Sequence, residues 1–417
     1  MQLLCNKYYK FYYKDFKPEI DIINPILENF RYKIYRKFEQ DFIDFFMNKQ
    51  LNKNIPPSKQ RIKVHKAFGR WIMLQISFGY NSKDPLIPSK LSKESFSQLE
   101  EDIRNFTRDK TINYDSLIKE LDMEKRCEKC IGDIQSFIKN KNIHGFDQRI
   151  KIDVELNKDT GMYSLSCGEG YRTVEASKLI HDRIKILFIT NQSFSQNLNH
   201  KEVFYYLLYC LMLRYITISE DGVRQGAKNQ LFFDALHNEF NINFEGFAAS
   251  FAASNNYICS LFYDIEKYFG SYGNFFDMKP IKGFYQVNPP LDSLITVMAM
   301  QRVMDVLDKD NNEDILGFAC FIPTWDHETI KRKGYKGKLD MYEDFPIYYE
   351  LKKNKHLIMN YDVLNKKIVY VQYQGKYQEL GTYDCPHILI LGNTKFRNWF
   401  DIKRMEKLLE TFVKTSF

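Results

Sequence analysis

The tetrapeptide Asn288-Pro289-Pro290-Leu291 lies between an apolar run, Gly283 to Val287, and a helix-like run, Leu291 to Leu307. Its residue types suit a definite chemistry. The Asn288 side chain offers a carbonyl acceptor, and the backbone carbonyl of Pro289 offers a second. Prolines hold φ at about −65° and carry no N–H, so that carbonyl is aimed in advance without a competing donor. Two converging acceptors match an exocyclic amine with two hydrogens, such as N6 of adenine. Accepting both hydrogens pushes a delocalised, poorly nucleophilic nitrogen toward tetrahedral geometry. With a sulfonium methyl donor such as S-adenosylmethionine, no metal and no strong base are required, because the proton can leave after methyl transfer. Orientation then does much of the work. The base has to be unstacked or single-stranded to reach such a pocket. Asn-Pro-Pro also occurs in plain turns, so its placement in the fold decides between these readings. Many enzymes of this type carry an aromatic ring after the second proline. Leu291 can cover a base face but has no ring to stack on it.

The elements that must position these residues are legible from periodicity. From about residue 216 onward, helix and strand patterns alternate. Gln230 to Phe240 reads as a helix and Asn243 to Ala248 as a short strand. A Gly- and aromatic-rich loop covers Tyr268 to Gly273. Gly283 to Val287 is a strand, Leu291 to Leu307 a helix, and Ile315 to Ile322 a buried strand ending at Pro323. This order predicts an α/β domain with a mostly parallel sheet. Ligands of such sheets sit beyond the carboxyl ends of the strands, where Asn288 and Pro323 both fall. The first 200 residues read mainly as helix. Ile23, Ile26, Phe30, Ile34, Phe38, Phe42 and Phe45 recur at steps of three and four, forming one apolar stripe. Breaks at 54–58 and 85–89 separate it from a stretch over Arg61 to Ser77 and from two more, near Phe96 to Arg108 and Tyr114 to Asn140. Ile150 to Leu156 and Met162 to Cys167 read as a hairpin joined by Asp159-Thr160-Gly161. Leu179 to Ile189 fits helix and strand equally, and Glu202 to Tyr215 is a strongly apolar helix or buried segment.

The composition is that of a folded protein, 44% hydrophobic and 27% charged over 417 residues. A net charge of +7 is compatible with a polyanionic partner without requiring one. No stretch approaches the ~20 apolar residues of a membrane span, and the polar, aromatic start lacks a secretory core. Eight scattered cysteines read as reduced thiols. The expectation is an intracellular protein, of nucleus or cytoplasm, with no membrane partner. The close pair Cys127 and Cys130 has no second pair at matching spacing, so no metal site is expected.

The segment Gln225 to Leu291 resembles the catalytic region of the phosphorylated-CTD-interacting-factor family, the cap-specific adenosine N6-methyltransferases. The likeness is carried by Gln225-Gly226-Ala227, Ala235-Leu236-His237, Phe244-Glu245, Phe247-Ala248, Cys259-Ser260, Phe262 and Asp264. It continues through Tyr268-Phe269-Gly270-Ser271, Gly273, Asp277, Pro280 and Gly283 into Asn288-Pro289-Pro290. Phe321-Ile322-Pro323-Thr324-Trp325 is similar to the family's Phe-Ile-Pro-Glu-Trp, with Thr for Glu, and His387-Ile-Leu-Ile-Leu to its last strand. The resemblance covers the last 200 residues well. It implies a Rossmann-like methyltransferase domain over about 201–417, with an insertion near 330–380, preceded by a mainly helical, RNA-groove-forming domain over 1–200. It implies S-adenosyl-L-methionine as cofactor. The implied substrate is capped RNA beginning with adenosine, methylated at the first nucleotide beside the m7G cap, usually already 2′-O-methylated. Animal members also carry a WW domain that binds the phosphorylated polymerase tail. Only Trp71 precedes Trp325, so no WW domain is expected, which argues against recruitment by RNA polymerase II. Methylation of internal RNA or single-stranded DNA, and a non-catalytic cap- or RNA-binding role, stand as the alternatives, the latter because Leu291 departs from the pattern.

Other residues carry candidate roles within this reading. Glu245, at a strand end, can bind the cofactor's ribose hydroxyls or be a solvated carboxylate. Gln225-Gly226 can form the tight cofactor turn, with Phe247, Phe269 and Gly270 beside the cofactor. Ser271 lies in the same aromatic loop, on the substrate side. Asp277 can bond a purine amine or serve as a cap. Trp325 can stack on m7G or adenine or pack in the core. Lys63, Lys66 and Arg70 can track phosphates or line a solvated helix face. The basic triplet Lys331-Arg332-Lys333 and Lys352-Lys353 would extend an RNA groove. His65, His237 and His387 have no Ser or Cys partner at motif spacing and read as structural.

Overall fold

A computed structural model describes residues 1–49, 56–107, 113–191, 200–218, 227–228, 230–253, 255–290, 292–323, 346–362, 368–371, 377–380 and 386–414. Two short strands, β1 (Gln2–Cys5) and β2 (Lys10–Tyr13), open the chain. Helices α1 (Pro25–Asn48), α2 (Pro57–Ser77), α3 (Lys93–Thr107), α4 (Tyr114–Leu121) and α5 (Met123–Lys141) follow. Next come β3 (Asp153–Asn157), β4 (Met162–Ser166), β5 (Val174–Ser177), α6 (Lys178–Thr190) and α7 (His200–Ile218). The remainder is β6 (Ala227–Lys228), α8 (Gln230–Phe240), β7 (Phe244–Glu245), β8 (Tyr257–Ile258), α9 (Tyr263–Glu266), β9 (Lys279–Val287), α10 (Ser293–Asp308) and β10 (Leu316–Pro323). It closes with α11 (Pro346–Lys353), β11 (Leu357–Asp362), β12 (Ile368–Val371), β13 (Tyr377–Leu380), β14 (Pro386–Gly392), α12 (Thr394–Trp399) and α13 (Ile402–Lys414).

Contacts divide the chain into two compact units, 16–181 with 192–222, and 1–15 with 182–191 and 223–417. A single cut near residue 200 does not reproduce this division. In the first unit, α1 packs against α2, α5 and α7. Helix α1 starts where it does because Asn24 is extended and its side chain accepts from the Ile26 and Leu27 amides, with Pro25 at the first helical position. Its buried face is not wholly apolar. Glu28, Arg31, Asp84 and Arg214 lie together with side chains fully removed from solvent. Arg31 Nη1 is 2.7 Å from Glu28 and its Nε 2.9 Å from Asp84, while Arg214 pairs with Glu28. Arg31 also donates to the carbonyls of Ile20 and Ile22. Two cations and two anions cancel, and the guanidinium of Arg31 is held above its ordinary pKa by the carboxylates, against the opposing effect of burial. The expected hairpin is observed as β3 and β4, extended by β5 into a three-stranded sheet.

The second unit is an α/β layer structure. Its sheet runs β8-β7-β9-β10-β14-β11. Among these strands β14 alone runs against the rest, pairing antiparallel with both β10 and β11. The hairpin β1-β2 adds antiparallel pairs to the first half of β9. The mostly parallel sheet expected from the element order is therefore a mixed one. One face is covered by Tyr9, Phe11 and the apolar side of α10, the other by α8, α12 and α13. The stretch near 330–380 is not simply an insertion. Leu351 of α11 is part of the core, and β11 is a strand of the main sheet. Gly317 and Gly392 sit opposite each other on β10 and β14, and the Phe396 ring lies where their side chains would be, 2.2 Å from an ideal Cβ at either. At the end of β7, Gly246 is equally constrained. A Cβ there would lie 2.7 Å from the Phe275 ring and 3.2 Å from the Gln286 carbonyl oxygen.

Two stability predictions follow from these contacts. Glu28→Ala removes the anion shared by two buried guanidinium groups, so it should cost about 3–5 kcal/mol; a denaturant titration showing a loss under 1 kcal/mol would refute the buried-network account. Gly246→Ala should cost about 1–3 kcal/mol, seen as a lowered melting temperature, since the backbone oxygen it meets cannot rotate away.

Candidate active site

Strand β7 is followed in sequence by β8 on one side of it, whereas β9 pairs on its other side. The strand order therefore reverses between β7 and β9. In open α/β sheets the ligand crevice lies outside the carboxyl ends of strands at such a reversal. The residues at those two ends are Glu245-Gly246-Phe247 and Gln286-Val287-Asn288-Pro289. They are tied together directly. Glu245 is in register with Gln286, and the Gly246 amide donates to the Gln286 carbonyl at 2.7 Å. The Cys259 amide donates to the Glu245 carbonyl at 2.8 Å, which brings the end of β8 alongside.

Asn288 leaves β9 half-buried, followed by buried Pro289 and half-buried Pro290. Asp292 then caps α10, its side chain accepting from the Leu294 and Ile295 amides at 3.0 and 3.2 Å. The stretch from strand to helix is thus pinned at both ends. Leu291 lies outside the described residues, as do Gln225, Gly226 and Trp325.

The remaining candidates are distributed as follows. Glu245 is buried at 5% exposure, and its Oε1 accepts from the Asn255 amide at 2.9 Å. Phe247 is half-buried and packs on Phe275 and Phe276, with ring centroids 4.9 and 5.7 Å away. Phe269 is fully buried against Phe188, a core position. Gly270 adopts φ +92°, and an ideal Cβ would stand 2.9 Å from the Asn256 carbonyl, so the turn after Phe269 requires glycine. Ser271 is buried, its Oγ 2.6 Å from Ser260 Oγ and accepting from the Gly273 amide. These bonds hold the aromatic loop against β8. Asp277 is half-buried near Cys259, whose thiol is pushed up by burial and, secondarily, by that carboxylate. In the helical unit Lys63 is exposed on α2, whereas Arg70 is engaged with Asp102 at 2.7 Å.

Three residues of this region had not been singled out from the sequence. Glu266 is fully buried, and its carboxylate accepts from the Ser250 amide and hydroxyl and from the Phe262 amide. It thereby clamps the loop after β7 to the loop after β8. Gln286 is 0% exposed and neither end of its side-chain amide has a hydrogen-bond partner among the described residues. The Asn255 side-chain nitrogen, in a residue 4% exposed, is in the same condition. A polar residue inside the apolar run 283–287, two positions before Asn288, was the available signal for Gln286.

Residues 183–357 match the family described as phosphorylated CTD interacting factor 1 WW domain. The chain is also similar to the mRNA (2′-O-methyladenosine-N(6)-)-methyltransferase of Homo sapiens, 32% identical over 126 residues, and to that of Mus musculus, 30% identical over 123. Each likeness covers 28% of this chain and 17% of the relative. The chain thus corresponds to less than a fifth of the length of either. The expectation that no WW domain is present is corrected by the family match, which carries that description. Tryptophan counting tests only for a short module of its own, whereas the matched stretch begins within α6, spans β7 to β10 and ends at the first residue of β11. The residues at the strand reversal, Glu245-Gly246-Phe247 and Gln286 to Pro289, lie inside the stretch that matches this family.

Proposed function

We propose that this chain is a Rossmann-like methyltransferase that methylates N6 of adenosine with S-adenosylmethionine, with the 2′-O-methylated adenosine beside an m7G cap as preferred target. The observation that carries the reading is Asn288-Pro289-Pro290 at the carboxyl end of β9, beside the strand reversal. The names of the human and mouse relatives point the same way. The reversal also suits a cofactor with polar groups. Gln286 and Asn255 hold buried amide atoms with no hydrogen-bond partner among the described residues.

Bound there, the sulfonium cofactor supplies an electrophilic methyl group. The chain's own contribution is placement. The Asn288 side-chain carbonyl and the Pro289 backbone carbonyl accept the two N6 hydrogens and aim the nitrogen lone pair. Leu291 covers one face of the base, and Trp325 the other or the cap. Exposed Lys63 and Lys66 on α2 offer phosphate contacts. An mRNA substrate places the work in nucleus or cytoplasm.

Mass spectrometry of cap dinucleotides after incubation with cofactor tests the reading. Methylation of capped over uncapped oligonucleotides beginning with A is expected; equal rates on both would move the assignment to internal RNA or single-stranded DNA. Cofactor-free RNA binding with no methylation of any substrate would make the chain a non-catalytic binder. Asn288→Ala should lower turnover about 10²–10³-fold, the usual cost of one transition-state hydrogen bond, with cofactor affinity nearly unchanged. Leu291→Phe should retain or raise activity, because base-aromatic stacking is worth about 1–3 kcal/mol, and Leu291→Ala should weaken it. Wild-type turnover by Asn288→Ala would remove the site.

A further inference from the structure

Register sorts the side chains of the hairpin β1-β2 and the start of β9 onto two faces, because residues directly opposite each other share a face. Leu4 pairs with Phe11, and Phe11 with Pro280; this face joins the core. The opposite face carries the pairs Leu3–Tyr12, Tyr12–Lys279 and Lys10–Lys282. The shift in register between Lys10 and Phe11 lets Lys279 and Lys282 share it although they are three residues apart. Leu3 is 49% and Tyr12 39% exposed. Among the described residues the Tyr12 ring has no ring contact and no hydrogen bond, and the Lys279 and Lys282 ammonium groups have no ion pair. Lys10 stands 3.8 Å from Asp314. Three lysines against one carboxylate leave this face positive around an exposed ring. It lies at the amino end of β9. Asn288 follows the other end of that nine-residue strand, about 30 Å away at ~3.3 Å per residue.

We propose that this face binds single-stranded RNA and holds the substrate chain at a distance from the reacting base. The choice of RNA rests on the methyltransferase reading above. The mixture of groups selects the ligand. A single strand offers planar bases and phosphates in alternation. Tyr12 takes a base on its ring, with Leu3 beside it, and the lysines meet the phosphates. A duplex hides its base faces and would use the lysines alone. An acidic polypeptide would also use the lysines and leave the ring idle. A second copy of the chain, docked by a two-fold axis, would set the same patch against itself and bring lysines toward lysines. Charge and ring are used together by a single-stranded polyanion with aromatic faces.

Fluorescence anisotropy on the full chain, without cofactor and with an uncapped single-stranded RNA of about 20 nucleotides, reads the face directly. Tyr12→Ala should weaken binding about 5–100-fold, the range for one base stacked on a ring. Tyr12→Phe keeps the ring and should bind as the wild type does. The double variant Lys279→Gln, Lys282→Gln should lower the slope of log affinity against log salt by about 1.4, or ~0.7 per phosphate contact. Methylation of a capped dinucleotide, too short to reach the face, should be unchanged in all of them. Wild-type affinity of Tyr12→Ala for the RNA, or an unaltered salt slope in the double variant, would overturn the proposal. A glutamate-rich peptide that binds as tightly as RNA, is released by the lysine variant and ignores Tyr12→Ala would make the face a site for an acidic protein instead. A dimer in sedimentation that Tyr12→Ala dissolves would make it a contact between copies. Loss of the methyltransferase reading would show in the dinucleotide assay, while the RNA affinities still decide on the face.

Discussion

The contact between Gly246 N–H and the Gln286 carbonyl is the constraint on which the candidate site rests. Strand β7 is two residues long, so its attachment to β9 depends on few bonds. Everything after both strands is placed by that junction. The end of β8 hangs on it through the Cys259 amide, and Ala248 bonds back to Cys259 at 2.9 Å. Glu266 then closes the two loops on each other. Such an arrangement leaves no space at position 246. The Phe275 ring on one side and a backbone oxygen on the other exclude even a methyl group. Close backbone approach at a ligand crevice is a familiar use of glycine, and here it also brings Glu245 alongside Gln286.

Both units bury polar groups. In the helical unit the Arg31 and Arg214 guanidinium groups are answered by Glu28 and Asp84 and by backbone carbonyls, which makes a closed network. Replacing such a network with apolar residues is often neutral, so its value lies in specifying one packing of α1 against α7 and the 81–89 segment. In the α/β unit the Gln286 amide is fully buried with nothing to bond to among the described residues. An unmet buried group of this kind costs about 1–3 kcal/mol.

How much of this was legible in the sequence depends on the range of the signal. Gln230 to Phe240 as a helix, the 283–287 strand and the hairpin at 153–166 were readable from local periodicity, and all three are observed. Asn288 at a strand end followed from the apolar run before it. The strand at Gln2–Cys5 was not readable, because four residues alternating at the edge of a sheet carry no mark of the distant partner that pairs with their hairpin. For the same reason β11 was absorbed into a supposed insertion, and β14 gave no sign that it would run backward. Glu266 and Gln286 were missed on a different ground. Both look like solvent-facing residues by type, and the register of β7 with β9 and the fold of the two loops bring them inside.

The link between β9 and α10 is anchored on both sides. Val287 is held by its pairing with Cys320 of β10, and α10 begins at an Asp292 cap with two amide bonds. The Asp292 amide also donates to the Pro290 carbonyl at 2.6 Å. Between these anchors, two prolines remove most of the remaining backbone freedom. On the proposed reading, a carbonyl in such a frame would not swing to follow an incoming amine, and the entropy of alignment would be met in folding instead of at the moment of reaction. On that reading, the same rigidity would make the site demanding about its substrate, since an amine displaced by about one ångström would find no adjustable acceptor.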